Sequence, residues 1–135
     1  RFPQRTEQID LLRNAAEREF HSRGAIFRRR KSTGMIRECH GDLHLGNMIA
    51  LDDNVVLFDC IEFNAGLRWI DVMSEIAFTV MDLEDRDRPD LAYRFLNAYL
   101  DQTGDYTGLE VLRYYLLYRA TVRAKVAGIR LAQEA

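Results

Sequence analysis

The residues best suited to chemistry crowd into one stretch, Cys39-His40-Gly41-Asp42-Leu43-His44-Leu45-Gly46-Asn47. It holds two of the chain's 3 histidines, an aspartate, an asparagine and two glycines. A second polar stretch, Leu57-Phe58-Asp59-Cys60-Ile61-Glu62-Phe63, supplies further carboxylates a short way on. Carboxylate and carboxamide oxygens are hard ligands that suit Mg²⁺, which takes few protein oxygens and fills its shell with phosphate and water. Another carboxylate can orient and deprotonate a hydroxyl nucleophile. Phosphoryl transfer asks little more of a protein than positioning and charge neutralisation. Asp42, Asn47 and Asp59 are the residues whose types fit those tasks.

The elements around these stretches must bring them together. Met48 to Leu51 and Val55 to Phe58 are short apolar runs separated by Asp52, Asp53 and Asn54, which reads as a small hairpin. If its strands pair, the segments before the first and after the second lie side by side, so Asp42, Asn47 and Asp59 face one cleft. Upstream, Ile9, Leu12, Ala16 and Phe20 have helical spacing, with Pro3 and Thr6 suited to the start and Arg23-Gly24 to the end. The basic run Arg28-Arg29-Arg30-Lys31 reads as a solvated connector rather than a phosphate-binding patch. Downstream, Ile70, Met73, Ala77, Val80 and Met81 form one helical stripe, and Leu91, Phe95, Leu96 and Tyr99 another. Pro89 suits the first turn of that second helix and Gly104 its end. Thr107 and Glu110 have capping-box spacing and open a last helix through Leu109, Leu112, Leu116, Ala120, Ala124 and Ala127. The expected class is mainly α (α+β): helix, polar segment, hairpin, then three helices.

Composition sets the outer limits. The 135 residues, 47% hydrophobic and 30% charged, amount to one ordinary globular domain able to bury its own core. A net charge of −2 gives no reason to expect nucleic acid as a partner. No apolar run approaches the length of a membrane helix, and no signal peptide opens the chain. The 2 cysteines, Cys39 and Cys60, are too few for a disulfide framework, so both are expected reduced in the cytoplasm.

His40-Gly41-Asp42-Leu43-His44-x-Gly46-Asn47 resembles the catalytic loop of the aminoglycoside phosphotransferase and choline kinase group, relatives of the protein kinases. Phe58-Asp59-Cys60-Ile61-Glu62-Phe63 is similar to that group's metal-binding segment, and Arg68-Trp69-Ile70-Asp71-Val72 to the region opening its next helix. From Arg37 to Val126 the chain resembles an uncharacterised bacterial branch often fused to a P-loop domain. The resemblance implies the helical C-terminal lobe of a protein-kinase-like fold, with the hairpin beside the catalytic loop. It implies Asp42 as catalytic base, Asn47 and Asp59 as ligands of Mg²⁺ on ATP, and a small hydroxyl-bearing acceptor. His40 and His44 would then shape the loop by hydrogen bonding, and Asp71 would brace it. Glu62 would either back the metal ligands or lie exposed.

No glycine-rich loop or nucleotide lobe precedes residue 37, so residues 1–135 read as the catalytic C-terminal lobe alone. Such a piece is expected to be inactive by itself. Two other function classes are open: a non-catalytic kinase-like binding or regulatory module, and a metal-dependent phosphoesterase suggested by Gly41-Asp42-Leu43-His44. The phosphoesterase would need more His and Asp ligands, and only His21 remains, within a helical segment. Cys39 and Cys60 read as buried packing. Tyr114, Tyr115 and Tyr118 read as helix core and rim. Arg119, Arg123, Lys125 and Arg130 read as one solvated face rather than an anion site.

Overall fold

The computed structural model describes residues 3–133. In chain order these form α1 (Pro3–Ser22), α2 (Gly24–Ser32), β1 (Ile36–Glu38), β2 (Met48–Leu51), β3 (Asn54–Leu57), β4 (Trp69–Asp71), α3 (Val72–Asp85), α4 (Pro89–Thr103) and α5 (Leu109–Gln133). Short 3₁₀ turns at Leu45–Asn47, Ala65–Leu67 and Tyr106–Gly108 connect them. The mainly α, α+β class expected from the sequence is the one observed.

The core sits where α3, α4 and α5 meet. Met73, Ile76, Val80 and Leu83 of α3 pack with Ala92, Leu96 and Leu100 of α4 and with Val111 of α5. Both expected stripes are present, except that Ile70 of the first lies in β4 rather than on α3, and the signals at the ends of α4 act as read. Pro89 occupies the first turn, and Gly104 closes the helix in the left-handed conformation at φ 69°, its N–H bonded to the Leu100 carbonyl at 2.8 Å. α3 is buried almost all round, from Met73 to Val80, because a second face of it carries the polar loop.

The expected hairpin forms, with its second strand one residue earlier than read: Asn54 belongs to β3 and Phe58 lies beyond it. Met48 pairs with Leu57 and Leu51 with Asn54, and Asp52 turns the chain at φ 52°. A second antiparallel pair, β1 with β4, joins Ile36 to Asp71 and Glu38 to Trp69. Three-residue strands so far apart in sequence leave no local signal.

Several expectations need correcting. Arg28 to Lys31 are not a connector: they lie in α2, and Arg30 is only 1% exposed. Its guanidinium donates to both oxygens of Asp71 at 2.8 Å and to both of Asp105 at 2.7 and 2.8 Å. Thr107 does not cap α5 but accepts a hydrogen bond from Arg30 at 3.2 Å. The α1 helix forms, yet Ile9, Leu11 and Leu12 on it are exposed. Its packing comes from the C-terminal end, where the Phe20 ring lies 5.8 Å from Tyr114 and 5.4 Å from Phe27.

Candidate active site

The polar loop starts where β1 ends. Cys39 extends the β1–β4 ladder by donating to the Arg68 carbonyl at 2.8 Å, and Gly41 then turns the chain at φ 87°. A side chain there would be strained, and its Cβ would fall 2.8 Å from the Leu67 carbonyl oxygen and 3.1 Å from Ile61. Asp42, Leu43 and His44 follow, and His44 caps the Leu45–Asn47 turn by accepting from the Gly46 N–H at 3.1 Å.

Four buried side chains grip the backbone of this loop. Glu75 accepts from the Gly41 N–H at 2.9 Å, and Arg119 donates to the Gly41 carbonyl at 3.1 Å. Thr79 donates to the Leu43 carbonyl and Asp82 accepts from the Leu45 N–H, both at 2.8 Å. Glu75, Thr79 and Asp82 are spaced i, i+4, i+7, which is one face of a helix. None of the four stands among the candidates drawn from the sequence. The signal was present for α3: polar residues recurring at helical spacing inside an otherwise apolar stretch. Arg119 carried no such signal, since it sits among the other cations of α5. It is 5% exposed rather than part of a solvated face, and it lies 4.7 Å over the Phe78 ring. Burial pulls its guanidinium below the usual range, while the charges of Glu75, Tyr118 and Asp42 act in the opposite direction. Of the two Glu75 oxygens only Oε2 is bonded; Oε1 is buried without a partner.

Asp42 and Asn47 meet within this loop. The Asn47 amide nitrogen donates to the Asp42 carbonyl at 3.0 Å and to its carboxylate at 3.2 Å. His44 Nε2 lies 3.3 Å from the same carboxylate oxygen, and the Asp42 side chain stays 40% exposed. Asp42 is therefore a carboxylate fixed from two sides and open on a third. With its nitrogen committed to Asp42, the buried Asn47 keeps its Oδ1 as an acceptor.

The segment bearing Asp59 is stitched to the same loop. Phe58 donates to the Asn47 carbonyl at 3.1 Å and Ile61 to the His40 carbonyl at 3.0 Å. The His40 ring spans the gap, with Nε2 2.6 Å from the Phe58 carbonyl and Nδ1 accepting from the Asp42 N–H at 3.3 Å. Asp59 lies between those tie points with φ 57°, and its side chain is exposed. Left-handed backbone at a non-glycine residue is uncommon and concentrates at functional sites. Glu62 is exposed.

Asp71 is placed elsewhere. It caps α3 by accepting from the Met73 N–H at 2.9 Å, and its remaining capacity goes to Arg30 and to the Tyr115 hydroxyl at 3.2 Å. Bracing of the loop, the role the resemblance implies for Asp71, is carried out by Glu75, Thr79, Asp82 and Arg119. Tyr114 and Tyr115 join an aromatic cluster with Phe27, which fits the core-and-rim reading.

Both cysteines are free, but only Cys39 is partly buried; Cys60 is exposed, contrary to the packing expected of it. Burial, with Glu75 and Asp71 adding to it, pushes the Cys39 thiol up to about 11. Because the thiolate is the nucleophile, a thiol reagent at neutral pH is expected to modify Cys60 fast and Cys39 slowly. A Cys60→Ser variant that kept the fast phase would contradict this. A second outcome follows from Gly41. Gly41→Ala adds a strained conformation, costing about 1–3 kcal/mol, to a clash with fixed backbone. Denaturant unfolding should show at least that loss, and an unchanged midpoint would contradict the geometry.

The arrangement is two carboxylates and a carboxamide at one end of a hairpin, on a loop whose backbone is held by buried polar side chains. Among the described residues no group of three His, Cys, Asp or Glu side chains is placed to hold a metal, so the ligand set of a binuclear phosphoesterase is not assembled. No helix among them is long and apolar enough to cross a membrane. Comparison with known proteins agrees with the phosphotransfer geometry. An uncharacterized protein of Mycobacterium bovis is 38% identical over 111 residues, covering 82% of this chain and 22% of the relative. Uncharacterized proteins of two Mycobacterium tuberculosis strains match to the same extent, so the chain spans 22% of the length of these curated relatives. No solved structure matches it significantly. The family model described as the phosphotransferase enzyme family matches residues 2–115, so the chain belongs to that aminoglycoside phosphotransferase and protein-kinase-like family, and its architecture is the helical lobe of a kinase-like fold.

Proposed function

We propose that this chain is the catalytic lobe of an ATP-dependent phosphotransferase that moves the γ-phosphate to a hydroxyl of a small acceptor. One observation carries the reading: Asn47 fixes the Asp42 carboxylate through its amide nitrogen while its own carbonyl anchors the strand leading to Asp59. Asp42 accepts the acceptor's proton and aims its oxygen. Asn47 Oδ1 and the Asp59 carboxylate are a hard, sparse donor set of the kind Mg²⁺ takes when phosphates complete its shell. When bound, Mg²⁺–ATP supplies the phosphoryl group and neutralises its charge. His40 and His44 hold the base and the turn by hydrogen bonds.

In this reading the nucleotide lobe lies in the rest of the protein, and the branch the chain resembles is often fused to a P-loop domain. Val55 and Leu57, exposed on one face of the hairpin, suit a contact with that lobe. Free Cys39 and exposed Cys60 suit a reducing cytoplasm. The test is transfer of the γ-phosphate by the full-length protein to a panel of small alcohols. Transfer should require Mg²⁺ and stop when the metal is chelated. ATP-dependent phosphorylation unaffected by chelation, or none to any acceptor and no metal-dependent ATP hydrolysis, would overturn it.

A further inference from the structure

A groove of about 350 Å³ opens beside Asp42, between the catalytic loop, the Ala65–Leu67 turn and α5. That volume is at the small end of ligand pockets. Ile61, Leu67, Val122, Val126 and Ile129 give it aliphatic walls, and Asp42 is the one carboxylate among its lining residues. Two cations also line it, Arg119 and Lys125. They differ in what they can offer. Arg119 is buried, and its Nε and Nη1 donate to the carbonyls of Ser74 and Gly41 at 3.1 Å each, so its charge is fixed at the loop end of the groove. Lys125 is exposed. It lies six residues further along α5, a rise of ~9 Å from the Arg119 end, where Asp42 sits.

We propose that the acceptor is a hydroxyl compound with an apolar body and a single anionic group, its hydroxyl at Asp42 and its anion at Lys125, further along the groove. The role of Asp42 in this rests on the phosphotransfer reading. The anion and the apolar body follow from the groove itself. A polycationic amino sugar is the wrong ligand for it: the aliphatic walls offer its ammonium groups no acceptors, Arg119 and Lys125 repel them, and Asp42 alone would pair with them. Transferring the phosphoryl group to such an acceptor breaks the bond from the γ-phosphorus to its bridging oxygen. It forms a new oxygen–phosphorus bond to the hydroxyl, whose proton goes to Asp42, and leaves ADP.

The experiment is calorimetric binding of matched probes to the protein: 8-hydroxyoctanoate, 8-amino-1-octanol and kanamycin. The carboxylate should bind at least about tenfold tighter than the amine, and kanamycin should not displace it. Lys125→Glu should reverse the preference for carboxylate over amine. Ile129→Asp, a change at a half-exposed position, should abolish binding of the carboxylate probe. Equal binding of both alcohols, displacement by kanamycin, a ratio indifferent to Lys125→Glu, or no binding at all would each overturn the proposal. These readouts involve no phosphate transfer. If the ratio holds while Asp42→Asn leaves transfer intact, the catalytic reading fails and the groove's specificity stands. If transfer depends on Asp42 but the amine binds better, the acceptor class is wrong and the catalytic reading stands.

Discussion

Asp42→Asn in the full-length protein is expected to lower phosphate transfer by about 10²–10⁴-fold, the usual contribution of a general base. The substitution keeps the size of the side chain and leaves an oxygen to accept from the Asn47 amide, 3.2 Å away in the native loop. It removes the negative charge that orients the acceptor's hydroxyl and takes its proton. The fold should not change, because the Asp42 side chain is 40% exposed and the loop is held by its backbone. Turnover is read as transfer to an alcohol, or as slow ATP hydrolysis. A loss of less than a few-fold would mean the chemistry is elsewhere.

Arg30→Ala should have the largest effect on stability. The native guanidinium is 1% exposed and bridges Asp71 and Asp105, each also 3% exposed. Removing it strands two buried carboxylates, and breaking a buried pair in this way costs about 3–5 kcal/mol. That is a large share of the roughly 5–15 kcal/mol that holds a domain together. Arg30→Lys should recover only part of the loss, since an ammonium cannot form paired bonds with two carboxylates. The pH dependence separates this from a simple cavity. Burial alone would raise Asp105, but hydrogen bonds from Arg30 and Tyr99 win and hold it below the usual carboxylate range. In the native protein, then, that group adds stability above the ordinary carboxylate pKa, and this is lost as acid protonates it. Without Arg30 the main opponent of burial is lost, only Tyr99 and Thr107 still lower the group, and the folded-state pKa is expected to rise above the unfolded one. The variant's Asp105 should then favour folding below the unfolded pKa and disfavour it as pH rises. Its deficit in denaturant midpoint should accordingly shrink on acidification, whereas a cavity would give a constant deficit.

The loop and hairpin were legible because their signals are local. Gly41, Asp42 and Asn47 stand within a few residues of one another, and the hairpin's aspartates interrupt two apolar runs. The helices α3 and α4 were legible through their stripes, Pro89 and Gly104. What escaped depends on partners far away in sequence. Arg30 looks solvated within Arg28 to Lys31, and its partners lie 41 and 75 residues on. Arg119 looks like any cation on α5 until the Gly41 carbonyl, 78 residues earlier, meets it. The β1–β4 pair is too short to show a period. Bracing by Glu75 rather than Asp71 was missed because both carboxylates lie near the start of α3. Only the fold shows which one faces the loop.

The assignment of roles at the site is tested most directly by Mg²⁺–ATP affinity, measured side by side for Asp42→Asn and Asp59→Asn in the full-length protein. On the proposed assignment Asp59→Asn removes a charged metal ligand, so Mg²⁺–ATP binding should weaken along with turnover. Asp42→Asn leaves the metal's ligands in place, so its affinity should stay close to that of the native protein while turnover falls. If Asp42→Asn loses metal–nucleotide binding and Asp59→Asn keeps it, the roles of these two carboxylates are reversed.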